Sequence, residues 1–157
     1  EIKTSLDKNI HQLATLQRNG GGWAWIAECD KASSWATLSI LEKIGHLKKL
    51  GFLPNSKDLN TMTENAIKYI DTEYVKLYKQ HPQGDYSLYV FIRDMFPEYK
   101  QSTAAQKITN TTIQQIIGDS WSAVLHIDNS SFRKTLFQNR FLHNIIVRVG
   151  IDSQMRT

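Results

Sequence analysis

The sequence predicts an all-α chain, a stack of antiparallel helix hairpins with about seven helices. Three observations predict it. Apolar residues recur at three- and four-residue spacing along most of the chain, with no strand-type alternation between hairpin turns. Each proline, Pro54, Pro82 and Pro97, stands where such a run stops. Short polar residues that cap helices precede the runs, and glycine follows several of them.

The first helix is expected over residues 5–16, with Leu6, Ile10, Leu13 and Leu16 or Gln17 on one face. Asn19-Gly20-Gly21-Gly22 breaks it, and Trp23-Ala24-Trp25-Ile26 follows as an apolar, non-helical knot. Ser33 or Ser34 caps a second helix over 35–50, whose inner face carries Thr37, Ile40, Leu41, Ile44 and Leu47. Lys48 and Lys49 complement its C-terminal dipole, and Gly51 takes the left-handed position that ends it. Thr61 to Glu64 reads as a capping box opening a third helix over 62–80, with the stripe Ala66, Ile67, Ile70, Tyr74, Leu77 and Tyr78.

Asp85 caps a short fourth helix over 86–96. Ser102 or Thr103 caps a fifth over 104–117, closed by Gly118, and Asp119 or Ser120 opens a sixth with Trp121, Val124 and Leu125. A seventh is expected over 132–149, where Phe137, Phe141, Ile145 and Val149 recur. No linker-like stretch divides the chain, so residues 1–157 read as one helical domain.

Composition narrows the function classes. With 41% hydrophobic and 22% charged residues, the chain is neither a disordered tail nor a fibre. One cysteine excludes a disulfide framework and a Cys-only zinc site. The apolar runs are too short to span a bilayer, so no membrane span is expected. The net charge of +4 is a solubility charge, with no nucleic-acid partner expected. The chain starts at Glu1 without a charged start and apolar run, so no signal peptide is read and a processed or excised fragment is expected.

The informative stretch runs from Gln17 to Trp23: glutamine, three residues, glycine, one residue, tryptophan. Gln17 can offer its amide to a neighbouring backbone. Gly20, Gly21 and Gly22 allow a tight reversal. Trp23 can lay its ring across an adjacent helix end, and its indole N–H then requires an acceptor. Such a device joins an outer helix to an inner one in a ring of hairpins and has no catalytic part. Trp25 follows at the next alternate position. Ser34-Trp35-Ala36-Thr37 then opens a helix, and Gly45-His46-Leu47-Lys48-Lys49-Leu50-Gly51 closes it.

This pattern resembles the helical, thioester-type domain of bacterial alpha-2-macroglobulin-like proteins. Ile67 to Asp71 and the aromatic-rich segment 86–97, ending in Phe96-Pro97, resemble the family helices that follow; the likeness is best over residues 10–100. It implies an alpha/alpha toroid, here a partial ring, and a parent that traps or inhibits proteases at the bacterial cell envelope or periplasm. The implied partners are proteins: other domains of the parent chain and a protease. A partial ring should also leave an apolar face exposed, through which a homodimer is expected. Family members that capture covalently carry a Cys-x-Glu-Gln thioester. Here Cys29 is followed by Asp30-Lys31-Ala32, so no thioester is expected.

Other chemistry is read as absent. Cys29 lies between Glu28 and Asp30, carboxylates that raise a thiol's pKa, so it reads as a loop thiol. His11, His46, His81, His126 and His143 show no tight ligand spacing, and Glu42 with His46 reads as a surface pair; no metal and no cofactor are expected. No Gly-x-Ser-x-Gly elbow, phosphate loop or Asp-x-Asp-Asp cluster occurs. Trp121 and the tryptophans and tyrosines named above, with Tyr69, Tyr86 and Tyr89, read first as core, and second as a surface for a protein or glycan. Two competing readings stand beside the scaffold. A toroid enzyme of terpene-cyclase or polysaccharide-lyase type would show a cleft with at least two strongly shifted carboxylates. A self-standing interaction module would bind protein through its exposed apolar face.

Overall fold

The computed structural model describes residues 2–126, with side chains over 4–118. The helices are α1 (Ile2–Thr15), α2 (Ser34–Lys49), α3 (Lys57–Gln80), α4 (Ser87–Asp94) and α5 (Thr103–His126). Among the described residues there is no strand, only an isolated antiparallel bridge between Gln17 and Trp23. The chain divides into two compact units, Glu1–Ile108 and Thr109–Thr157. The first carries α1 to α4 and the start of α5. The described part of the second is the remainder of α5.

Within the first unit α3 is the hub: it packs on α1, α2 and α4, and α2 packs on α4 as well. Leu38, Leu41, Ala66, Ile70, Tyr89, Ile92 and Phe96 fill the space between them. Each large apolar side chain so buried contributes roughly 1.5–3 kcal/mol before the entropy of ordering is subtracted.

All-α architecture is what the apolar periodicity predicts; several element boundaries differ from the expectation. On α1 Ile10 is buried, but Leu16 lies beyond the helix and is exposed. On α2 the buried set is Ala36, Thr37, Leu38, Leu41, Ile44 and Gly45. The inner face is therefore turned away from the expected Ile40 and Leu47, because Gly45 lets Met95 of the neighbouring segment approach where a Cβ would overlap its sulfur. Ser33 is the N-cap, its Oγ accepting from the Ala36 N–H at 3.3 Å, and Ser34 is the first helical residue. The C-terminus closes as a Schellman motif: Gly51, at φ 72°, donates to Lys48 O at 3.0 Å and Phe52 donates to Leu47 O at 3.1 Å.

The start of α3 corrects the capping-box expectation at Thr61. Ser56 caps the helix five residues earlier, its Oγ accepting from the Leu59 N–H at 3.1 Å, and Asp58 occupies the first turn. Thr61 lies within the helix, and Glu64 pairs with Lys68 at 2.6 Å. The earlier start prevails because it also buries Leu59 and Met62, extending the apolar stripe by a turn. At the other end of the stripe Leu77 is exposed. α4 is shorter than expected and its N-cap is Tyr86, without a side-chain cap, rather than Asp85; Asp85, one residue earlier, accepts from the Ser87 N–H at 2.9 Å, and the chain leaves the helix before Pro97.

The largest departure is at Gly118. The expected fifth and sixth helices are one, α5, which runs through Gly118, Asp119 and Ser120 without a break. A Cβ at Gly118 would meet nothing nearby, and its φ is not in the left-handed region, so this glycine costs helix propensity without ending the helix. The described residues thus hold five helices where six were expected. The seventh, over 132–149, lies outside them, as do His143 and the side chains of Trp121, Val124, Leu125 and His126.

Candidate functional site

Of the residues singled out by sequence, Gln17, Gly21, Gly22, Trp23 and Thr37 meet at one joint around the loop between α1 and α2, whereas Gly45 and Gly51 lie towards the other end of α2. Gln17 leaves the end of α1 and its side-chain amide donates twice, to Gly21 O at 2.7 Å and to Met62 O in α3 at 2.8 Å. The reversal that follows uses two of its three glycines. Gly21 has φ 92°, and a Cβ there would run into the backbone of Asn65. A Cβ on Gly22 would lie 2.6 Å from the Tyr69 ring and 2.8 Å from Ala32 Cβ. Gly20 is exposed and meets only the edge of that ring at 4.0 Å, so its small size is not demanded.

Trp23 is 2% exposed and lies between two helices. Its indole N–H donates to Leu13 O of α1 at 2.9 Å, and its backbone N–H donates to Thr37 Oγ1 of α2 at 3.0 Å. Its carbonyl accepts from the Ser33 N–H at 2.8 Å, while the Thr37 hydroxyl donates to Ser33 O at 2.8 Å. One residue thus joins the end of α1 to the start of α2 with every polar atom of the contact partnered, as a buried polar joint requires.

Two contributors escaped the sequence reading. Arg18 donates through Nε to Cys29 O at 3.0 Å and through Nη2 to Ala27 O at 2.5 Å, bracing the far limb of the loop. Tyr69 donates its hydroxyl to Ala32 O at 3.0 Å while its ring fills the space left by Gly22. An arginine beside a glycine run, and a tyrosine at the edge of an apolar stripe, give no signal until the chain brings them to loop carbonyls.

The braced loop and the first turn of α2 each present an indole to solvent. Trp25 is 64% exposed and Trp35 57%; their ring centroids are 4.6 Å apart at an interplanar angle of 66°. Ile26 beside them is exposed too. These two tryptophans depart from the core reading. Arg18 and Tyr69 brace the loop that carries Trp25, and Trp35 lies in the first turn of α2, so the pair forms an exposed aromatic surface of the residue type that anchors protein interfaces.

A second constellation lies between α3 and α4. Tyr89 Oη donates to Asp71 Oδ1 at 2.7 Å, and Arg93 Nε stands 3.1 Å from the same oxygen, close enough to pair but not aligned for a hydrogen bond. Arg93 Nη2 donates to Tyr99 O at 2.7 Å. Tyr74 stacks on Tyr89 with centroids 4.6 Å apart, and Tyr78 and Tyr74 meet the ring of Tyr86 edge-on. Burial pushes the Asp71 carboxyl above its ordinary value, against the opposing effects of the Tyr89 hydrogen bond and the Arg93 charge. Sequence reasoning missed this network. The signal available was a charged residue, Arg93, inside the apolar stripe Tyr89, Val90, Ile92, Phe96.

Burial also pushes the phenols of Tyr74, Tyr86, Tyr89 and Tyr99 upward, Tyr89 furthest, where Asp71 adds to the effect. A phenol whose folded pKa is raised contributes stability in full below its ordinary value near 10, and that contribution is lost as pH rises through the folded value. Because Tyr74, Tyr86, Tyr89 and Tyr99 are shifted this way, their phenolate absorbance should rise only above pH 10 and together with loss of helical circular dichroism. One reversible transition for all the phenols near pH 10 would contradict the burial described here.

Cys29 is exposed. His46 faces the Phe91 ring at 6.4 Å, and Glu42 lies 3.6 Å from Lys43, so the expected Glu42–His46 pair is replaced by a neighbouring lysine. His11 instead pairs with Asp58 at 3.1 Å. Among the described residues no three His, Cys, Asp or Glu side chains converge as metal ligands, and no helix is long and apolar enough to cross a membrane. Comparison of the chain with protein-family models, with curated proteins and with solved structures finds no match.

Proposed function

We propose that this chain is a non-catalytic helical scaffold and protein-interaction domain, derived from an envelope protein of the alpha-2-macroglobulin-like type, in which hairpins continue as part of an alpha/alpha toroid. The observation that carries the reading is the engagement of Trp23 with both α1 and α2. Gln17, Gly21, Gly22, Trp23 and Thr37 are all occupied in holding helix ends together, and groups so engaged orient rods rather than transform a substrate. The packing of α1 on α3 and of α2 on α4 supports a continuing stack of hairpins, since each helix meets its next-but-one neighbour. The partner surface in this reading is the Trp25–Trp35 pair, beside the loop that Arg18 and Tyr69 brace. Its partner is another domain of the parent chain or the protease that the parent retains.

Two measurements test this. The coding sequence on either side should encode a protease-sensitive bait segment and β-sandwich domains, and binding of those domains should weaken at least about tenfold in a Trp25→Ala, Trp35→Ala variant, the scale of an interface anchor. Turnover of a prenyl diphosphate or an acidic polysaccharide by the purified chain would overturn the non-catalytic reading. Flanking sequence with neither element would overturn the family.

A further inference from the structure

Asn19 and Gly20 form the tip of the reversal between α1 and α2. They are the central pair of a β-turn closed by the Gly21 N–H on Arg18 O at 2.9 Å. Gly21 follows with φ 92°, and the Arg18 N–H donates to Gly22 O at 2.8 Å. This is a three-residue hairpin loop with a glycine bulge, and the Gln17–Trp23 bridge lies at its base. The bulge requires Gly21; the fold does not require Gly20. Its φ is outside the left-handed region, and a Cβ on it would meet only the Tyr69 ring at 4.0 Å. What a glycine at position 20 does leave open is the approach to its nitrogen.

Asparagine is a thermolabile side chain, because the backbone nitrogen of the next residue can attack its amide carbon. Three features favour that attack here. The next residue is glycine, with no Cβ in the way. Asn19 is exposed, and its side chain makes no hydrogen bond among the described residues. The attacking N–H belongs to no helix or strand ladder: it closes only a three-residue turn onto Arg18 O at 2.9 Å, an acceptor it shares with Gly21. Asn-Gly occurs once in the chain. Asn9, Asn60, Asn65 and Asn110 lie inside helices, where the amide that follows is tied to the preceding turn, and Asn55 is followed by Ser56.

We propose that Asn19 is a self-modification site whose conversion to isoaspartate loosens the joint between α1 and α2. Gly20 N bonds to Asn19 Cγ, the Cγ–Nδ2 bond breaks, and ammonia leaves with the proton of the Gly20 N–H. The product is a five-membered imide in which Gly20 N is bonded to both carbonyl carbons of residue 19. Water opens one of those bonds. Opening at Cγ gives aspartate; opening at the main-chain carbonyl gives isoaspartate, with the chain now running through the side chain. Isoaspartate adds a methylene to a loop whose ends are fixed by the Arg18–Gly22 and Gln17–Gly21 bonds. Those bonds cannot both persist around the longer loop, so the end of α1 is freed from its seat.

Ageing the whole chain in mildly alkaline buffer tests it. Digestion with a glutamate-specific protease at acidic pH releases residues 2–28, and fragmentation in the mass spectrometer locates any new acid. Asn19 should convert before every other asparagine, releasing ammonia, and more slowly in mildly acidic buffer, where the attacking nitrogen keeps its proton. Gly20→Ala should slow the conversion several-fold with circular dichroism unchanged, since the loop has room for that Cβ. In the converted fraction the α1 amides should exchange several-fold faster than in the fresh chain. Asn19→Asp, which adds the charge but not the methylene, should keep the protection of the fresh chain. An Asn19 that stays intact in the native chain while converting in urea would overturn the proposal, because the fold would then shield it. So would earlier conversion at Asn55, unchanged α1 exchange in the isoaspartyl form, or an Asn19→Asp variant as loose as the aged chain.

Discussion

Replacing Arg93 with alanine should destabilise the fold by about 3–5 kcal/mol, the cost of breaking a buried ion pair from one side. The Arg93 side chain is 3% exposed and that of Asp71 14%. Arg93 also donates to Tyr99 O, and more weakly to Phe96 O at 3.4 Å, so it closes the chain as it leaves α4. Its loss would leave those carbonyls and one buried carboxylate without a cation. Burial already holds the Asp71 carboxyl above its ordinary value, near 3.8, with Arg93 there to oppose the shift. Without Arg93 the shift should grow.

The sign of the pH dependence follows. A carboxyl with a raised folded pKa contributes most to stability below its unfolded pKa, and that contribution is lost as pH rises through the folded value. The Arg93→Ala deficit should therefore be smaller at pH 4 than at pH 7, because the uncompensated Asp71 charge develops only as pH rises through its raised folded pKa. Asp71→Asn, which removes the titration, should gain stability relative to the native chain as pH rises between those values. Urea unfolding at the two pH values measures all three quantities. A deficit under about 1 kcal/mol, the range of surface ion pairs, or one independent of pH, would show that the pair is not buried as described.

Trp23→Ala should cost a similar amount, about 3–5 kcal/mol, the usual range for truncating a large buried aromatic. The loss is more than volume: Leu13 O at the end of α1 forfeits its indole donor, and the anchored end of α1 is freed. Thr37→Val keeps shape but orphans the backbone N–H of Trp23, which should cost about 1–3 kcal/mol. Because both changes act on one hydrogen-bonded joint, the double variant should lose less than the two single losses added. Hydrogen exchange supplies the second readout. In Trp23→Ala the amides of α1 should lose protection while those at the centre of α3 keep it, since α3 is held by α2 and α4 as well. Uniform loss along α1, α2 and α3 would show that the indole is general core rather than a joint between rods.

Much of this was legible in the amino-acid order. The helical periods, the glycine run after α1, a serine N-cap at Ser33 or Ser34 and the closure at Gly51 are local matters, set by interactions within a few residues, and local chemistry reads directly from spacing. The joint was legible as far as its bonding demands: an indole N–H needs an acceptor and a glutamine amide needs carbonyls. Which carbonyls was not. Leu13 and Met62 become the acceptors only when α1 and α3 come together.

The remaining differences arise where two local signals compete and packing chooses between them. Both Ser56 and Thr61 can cap α3; burial of Leu59 and Met62 selects Ser56. Gly118 could end a helix or lie within one, and the chain continues through it. Trp25 and Trp35 have the same composition signal as Trp23, yet two lie in solvent and one in the core. By itself the sequence determined that the described residues are helical, where the loop after α1 falls and which side chains there require partners, because those follow from covalent geometry and short-range hydrogen bonding. Only the tertiary structure decided which face of α2 is inward, which indoles are outward and that Arg93 meets Asp71, because those depend on side chains distant in sequence competing for the same space.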